Sequence, residues 1–107
     1  IVFDEVTEDV WATIVLWLNE DYKQKVFDTR QKEGFVGNGY DWNSLATVFL
    51  EEKMPELMEV LSFDSEAGLF SIGSEDVESV KKFAIGFKAL CDDESEMTDL
   101  FSRAILN

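Results

Sequence analysis

The chain is predicted to be an α+β domain, a small, mostly antiparallel sheet packed against two to three amphipathic helices. Three observations predict it. Apolar runs rich in β-branched and aromatic residues lie at 10–18 and, more briefly, at 58–63 and 69–72, without the stripe of a helix. Apolar residues recur at three-to-four-residue spacing over 42–54, 75–91 and 94–106, the pattern of helices with one buried face. A length of 107 residues, 46% of them hydrophobic, is enough for one core, so residues 1–107 read as a single domain.

Residues 1–10 set Asp4, Glu5, Glu8 and Asp9 among isolated apolar residues and read as an extended lead-in or an edge strand of weak register. The next stretch, VWATIVLWL at 10–18, is nearly all apolar, as suits a central strand covered on both faces. Even spacing puts Trp11 and Trp17 on one face of it, read as core. Residues 19–33 are polar and mixed in sign, with Tyr22, Val26 and Phe27 as their large apolar side chains, and fit either a short strand or one helical turn. Lys23, Lys25, Arg30 and Lys32 make this the only locally basic stretch. They read as solvated charge, since a nucleic-acid surface needs far more positive charge than four residues amid so many acids.

The segment GFVGNGYDWNSLATVFL at 34–50 is the joint of the chain. Gly34, Gly37 and Gly39, with Asn38 among them, suit a tight turn with positive φ angles, and a helix is expected at once behind it. Asp41 is the expected N-cap; Leu45, Ala46, Val48, Phe49 and Met54 then share one face, and Phe35, Tyr40 and Trp42 surround the joint with large rings. The order GFVGNG is neither G-x-G-x-x-G nor followed by Gly-Lys-Ser/Thr, and Asp41 would repel an anion, so the turn reads as architecture rather than a phosphate cradle. Pro55 forces Met54 out of helical geometry and ends the helix.

Beyond it, DSEAG at 64–68 is turn chemistry between the runs 58–63 and 69–72, a hairpin with Leu61 and Phe63 facing inward opposite Phe70 or Ile72. Ser74 is the expected cap of the next helix, with Glu75 and Asp76 where the helix dipole is positive. Val77, Val80, Phe83, Ala84, Phe87, Leu90 and Cys91 form its buried face, Gly86 allows close packing, and Lys81, Lys82 and Lys88 point outward. Asp93 with Glu96 has the spacing of a capping box for a last helix burying Met97, Leu100, Phe101, Ala104 and Ile105.

Composition narrows the chemistry. The chain has no histidine and one cysteine, Cys91, which excludes a Cys/His zinc site and an internal disulfide and removes the commonest general base. No acidic cluster has the spacing of a calcium loop. The chain therefore reads as no enzyme, with no catalytic, cofactor-binding or metal-ligating residue assigned. The longest apolar run, 12–18, is too short to span a membrane, and no targeting segment is visible. The net charge of -14, from 23 acids against 9 bases, repels nucleic acid and anionic membranes and favours association with basic proteins.

GNGYDW, then SLA, then VFLEEKMPEL, and onward through FDSEAGLFSIGS, resembles the immunity protein 51 family of bacterial polymorphic toxin systems, over roughly residues 34–91. The resemblance implies a non-catalytic, cytoplasmic inhibitor that binds a cognate toxin domain. A nuclease toxin has a positive cleft for phosphates, and clustered carboxylates can occupy it. The expected contact surface is Tyr40, Asp41 and Trp42, then Glu51 and Glu52, then Glu75, Asp76 and Glu78. Each has a plainer role beside that one: Asp41 and the Glu75/Asp76 pair as caps, Tyr40 and Trp42 as core, Glu51 and Glu52 as a solvated face. The competing class is an acidic scaffold or nucleic-acid mimic that binds some other basic protein.

Overall fold

The computed structural model describes residues 2–6, 11–18 and 23–106, with Val2–Val6, Trp11 and Trp17 described by their backbone alone. The expectations for Glu8, Asp9 and Tyr22, and for a shared face of Trp11 and Trp17, lie outside the described residues and side chains. Strands β1 (Val2–Val6), β2 (Trp11–Trp17), β3 (Ser62–Phe63) and β4 (Leu69–Ser74) form one sheet in the order β1-β2-β4-β3, every neighbouring pair antiparallel. Helices α1 (Gln24–Asp28), α2 (Gly39–Lys53), α3 (Val77–Asp92) and α4 (Glu94–Phe101) complete an α+β domain.

Register sets Ile14 opposite Ile72 and Leu16 opposite Phe70, so the buried residues Ala12, Ile14, Leu16, Phe70 and Ile72 share one face. Helices α2 and α3 lie on that face, where Trp42 and Phe87 both touch Phe70. Thr13 and Val15 on the opposite face are only half-buried, which corrects the reading of β2 as a strand enclosed on both sides. Its unbroken apolarity masks an alternation in burial.

Trp42 is the hub of the core. Its ring lies 5.1 Å from Phe27 of α1, 6.0 Å from Phe87 of α3 and 6.2 Å from Phe70 of β4. Phe101 of α4 joins this cluster edge-on to Phe27 at 4.9 Å and to Phe35 at 4.7 Å. Five elements thus meet through rings in the offset and edge-to-face arrangements that their quadrupoles favour. Most residues of the helical faces expected from spacing are buried, with Met54, Val77 and Ala84 partly so, and at Gly86 a Cβ would overlap Met54 and crowd the Phe49 ring, so α2 and α3 approach closely there.

Several boundaries differ from expectation. The N-cap of α2 is Asn38 rather than Asp41, and Ser74 ends β4 rather than capping α3, whose N-cap is Asp76. Strand β3 has two residues, because Pro55–Leu57 form a 3-10 turn and Leu61 still donates its N–H to Leu57 O. Phe63 pairs with Ile72 and touches Phe70, yet it stays 38% exposed at the rim of the sheet, so the inward reading of that ring is corrected.

Helix α4 stops at Phe101, five residues short. Arg30 caps that end: its Nη1 donates to Phe101 O at 2.7 Å and Ala104 O at 2.5 Å, answering carbonyls at and just beyond the last turn. The same guanidinium forks onto Glu33 at 2.7 and 2.6 Å and lies over the rings of Phe35 and Phe101. Arg30 is therefore a structural clamp rather than solvated charge. Ile105, expected inside, is 79% exposed because the chain has left the helix before reaching it.

Candidate functional site

The glycine joint is built around a carboxylate. Gly34 (φ 110°) and Gly37 (φ 87°) take the left-handed backbone expected of glycine, and they aim the N–H groups of Val36 and Gly37 at Asp41 Oδ2, which accepts both at 2.7 and 2.8 Å. Asn38 Oδ1 in turn accepts the Asp41 N–H at 2.9 Å, so cap and first turn hold each other. Gly39 serves differently. Its N–H donates to Ala67 O, and a Cβ there would collide with the carbonyl oxygens of Glu66 and Leu69, so α2 starts directly against the hairpin backbone.

These bonds decide the fate of three expected contact residues. Asp41 is buried with its charge answered internally, and Trp42 is wholly buried, so the reading of Trp42 as an exposed ring is corrected. Tyr40 remains outside, 47% exposed at the head of the outer face of α2. Farther along that helix Ser44, Thr47, Val48 and Glu51 line a hollow of about 240 Å³ with Arg103 and Ile105.

Glu51 and Glu52 are neighbours with different environments. Arg103 forks onto Glu52 at 2.6 and 2.8 Å and also reaches Asp99 at 3.2 Å, which holds the Glu52 carboxyl below its ordinary range and raises Arg103 above its own. Glu51 is exposed and has no ion pair among the described residues.

Glu75, Asp76 and Glu78 sit elsewhere, where β4 runs into α3. Asp76 donates its N–H to Ser74 Oγ at 3.0 Å and accepts the Ser79 hydroxyl on Oδ2 at 2.8 Å, a local turn that leaves the residue exposed. Glu75 and Asp76 line a second hollow of about 300 Å³ with Val60, Ser62 and Ser74. Glu78 is exposed with Lys81 at 3.9 Å. The expected residues therefore fall into two surface groups and a buried pair.

Val60 in the second hollow, Phe63 on β3 and Met58 just before them in the chain are each 38% exposed, and the sequence offered none of them as contact residues. A signal for that region was present: between Lys53 and Lys81 the chain has seven acids and no base. Chemistry has little to work with on either surface. Cys91 is buried, and burial pushes its thiol up to about 11, far from a reactive thiolate. Among the described residues, no group of three or more acids and thiols is placed to hold a metal ion.

A family profile described as Immunity protein 51 matches residues 4–106, essentially the whole chain. The chain belongs to the immunity protein 51 family. The match extends the likeness of 34–91 through the β1–β2 hairpin and through α4. Comparison with curated proteins and with solved structures finds no match. Family membership gives this chain the role of an immunity protein, whose partner is a toxin protein. No helix among the described residues is long and apolar enough to cross a membrane.

Proposed function

We propose that this immunity protein neutralises a cognate toxin domain of a bacterial polymorphic toxin system in the cytoplasm of the producing cell, by stoichiometric binding and without catalysis. The observation that carries this reading is a family match over 4–106 in a chain with a net charge of -14. Family membership supports a toxin partner, and the charge supports a basic one. A nuclease domain fits best, because a cleft that binds phosphates is positive and a surface of carboxylates can fill it in place of the nucleic-acid backbone. The unpaired acids of the surface supply attraction over distance, and exposed apolar side chains supply contact area.

Co-expression with the toxin domain encoded immediately upstream tests this. Bacterial survival and a complex that co-purifies at low salt are expected, with affinity falling at least about tenfold between roughly 0.05 M and 0.5 M NaCl. Death of the cells and no complex at low salt would sink the proposal for that pair. The acidic-scaffold reading would then be the one to pursue, using basic DNA-binding proteins as bait.

A further inference from the structure

We propose that the toxin docks on the open edge of the sheet at β3, on the stretch that carries Met58, Glu59, Val60, Phe63 and Asp64, with Glu75 across the hollow from Val60; this assignment rests on the immunity reading above. Three observations converge there. First, β3 is the last strand in the order β1-β2-β4-β3, so its outer edge has no strand neighbour among the described residues. Second, three large apolar side chains are each 38% exposed along or just before this edge. Of these, Val60 shares with Ser62 a hollow of about 300 Å³ that Ser74, Glu75 and Asp76 also line, so Val60 lies beside the acids at the start of α3. Third, the whole stretch between Lys53 and Lys81 is without a base, and Glu59, Asp64, Glu66 and Glu75 have no ion pair among the described residues.

The charge selects the occupant. An acidic rim around apolar anchors fits a basic protein surface, whose lysines and arginines would find carboxylates not already answered within the chain. A second copy of this chain would bring the same acids against themselves, and short edges with charged flanks are how sheets resist that pairing. The hollow on α2 is the weaker candidate on the same grounds. Arg103 lies inside it, and Arg30 and Lys32 are close in sequence to the glycine joint at its head.

The test is calorimetric titration with the toxin domain encoded immediately upstream, using the full chain and three variants whose folding is checked by thermal melting. Glu59→Lys with Glu75→Lys is expected to weaken binding on the order of 100-fold and to flatten its salt dependence. Phe63→Ala is expected to weaken it about tenfold with the salt dependence kept. Glu51→Lys, on the α2 hollow, is expected to bind within about threefold of the unaltered chain. Folded edge variants that bind normally, or a loss confined to Glu51→Lys, would overturn the edge while leaving the immunity reading in place. Failure of the unaltered chain to bind would remove both. A dimer seen by sedimentation and dissolved by Phe63→Ala would give the edge to a second copy and overturn the assignment.

Discussion

Asp41 shows how one residue can have the right chemistry and a different task. Three residues after Asn38, it donates its N–H to the cap's Oδ1 and closes the preceding turn with its carboxylate. Asp41→Ala is expected to lower unfolding free energy by about 2–3 kcal/mol, because two N–H groups lose a charged acceptor in a buried place. Asn38→Ala should cost about 1 kcal/mol as an ordinary cap loss. Urea melts of the two variants order them, and an equal cost would mean that the carboxylate does no more than the cap. Gly39→Ala should fall at the upper end of the roughly 1–3 kcal/mol of overpacking, since the obstruction is backbone rather than a movable side chain. That a turn and a helix start meet at 34–41 was legible from glycine and Asx chemistry. Which of Asn38 and Asp41 caps was not, because both types suit both positions and the choice depends on how the turn folds back. Trp42 was similarly ambiguous: aromatic type alone does not separate a contact ring from a core hub, and the partners that bury it come from α1, α3 and β4.

Among the elements, α2 and α3 were legible because a stripe of apolar residues is a local property that burial then uses. Helix α4 was legible at its start, where Asp93 accepts the Glu96 N–H at 3.1 Å, and not at its end. Its end is capped by Arg30, more than seventy residues away in sequence. Arg30→Ala should therefore act at a distance. Loss of its bonds to the α4 carbonyls is expected to cost about 1–3 kcal/mol and to raise hydrogen exchange in α4 and the residues after it more than in α3. Arg30→Lys should recover only part of this, because an ammonium cannot fork onto Glu33 and reach two carbonyls while lying over two rings. Uniform exchange across both helices would show that the clamp supports the whole domain rather than one terminus. The start of strand β3 was misplaced for a related reason. The run 56–63 reads as a short helical turn leading into a strand from about Met58, and Pro55 does seed a 3-10 turn, but its bonds occupy the backbone until Leu61, leaving Met58 and Val60 outside. Their exposure is what makes that edge a candidate surface.

At the scale of the molecule the charge divides into two populations with opposite effects. Glu33 and Glu52 are held below the ordinary carboxylate value of 4.5 by forked bonds from Arg30 and Arg103, and Glu56 by its own backbone bond and Lys82. A lowered folded-state value means that the folded chain binds fewer protons than the unfolded one. The stability from these three is thus present above about pH 4.5 and lost as pH falls through their depressed values. The unpaired acids act in the other sense, since a net charge of -14 at pH 7 repels itself more in the compact state than in the open one. The chain has no histidine, so the melting temperature is expected to stay nearly level from pH 7.5 to about 5 and to fall below about 4.5 as the paired set is protonated. Salt separates the same two populations. Screening should raise the melting temperature of the free chain at pH 7, because repulsion among many unpaired carboxylates outweighs a few exposed ion pairs, each worth little in water. The same salt should loosen the toxin complex, where those carboxylates face basic groups. A free chain destabilised by salt would place its acids in the service of its own fold. Stabilisation of the chain alongside weakening of the complex would mean that the acid excess is carried at a cost in stability and relieved when the partner binds.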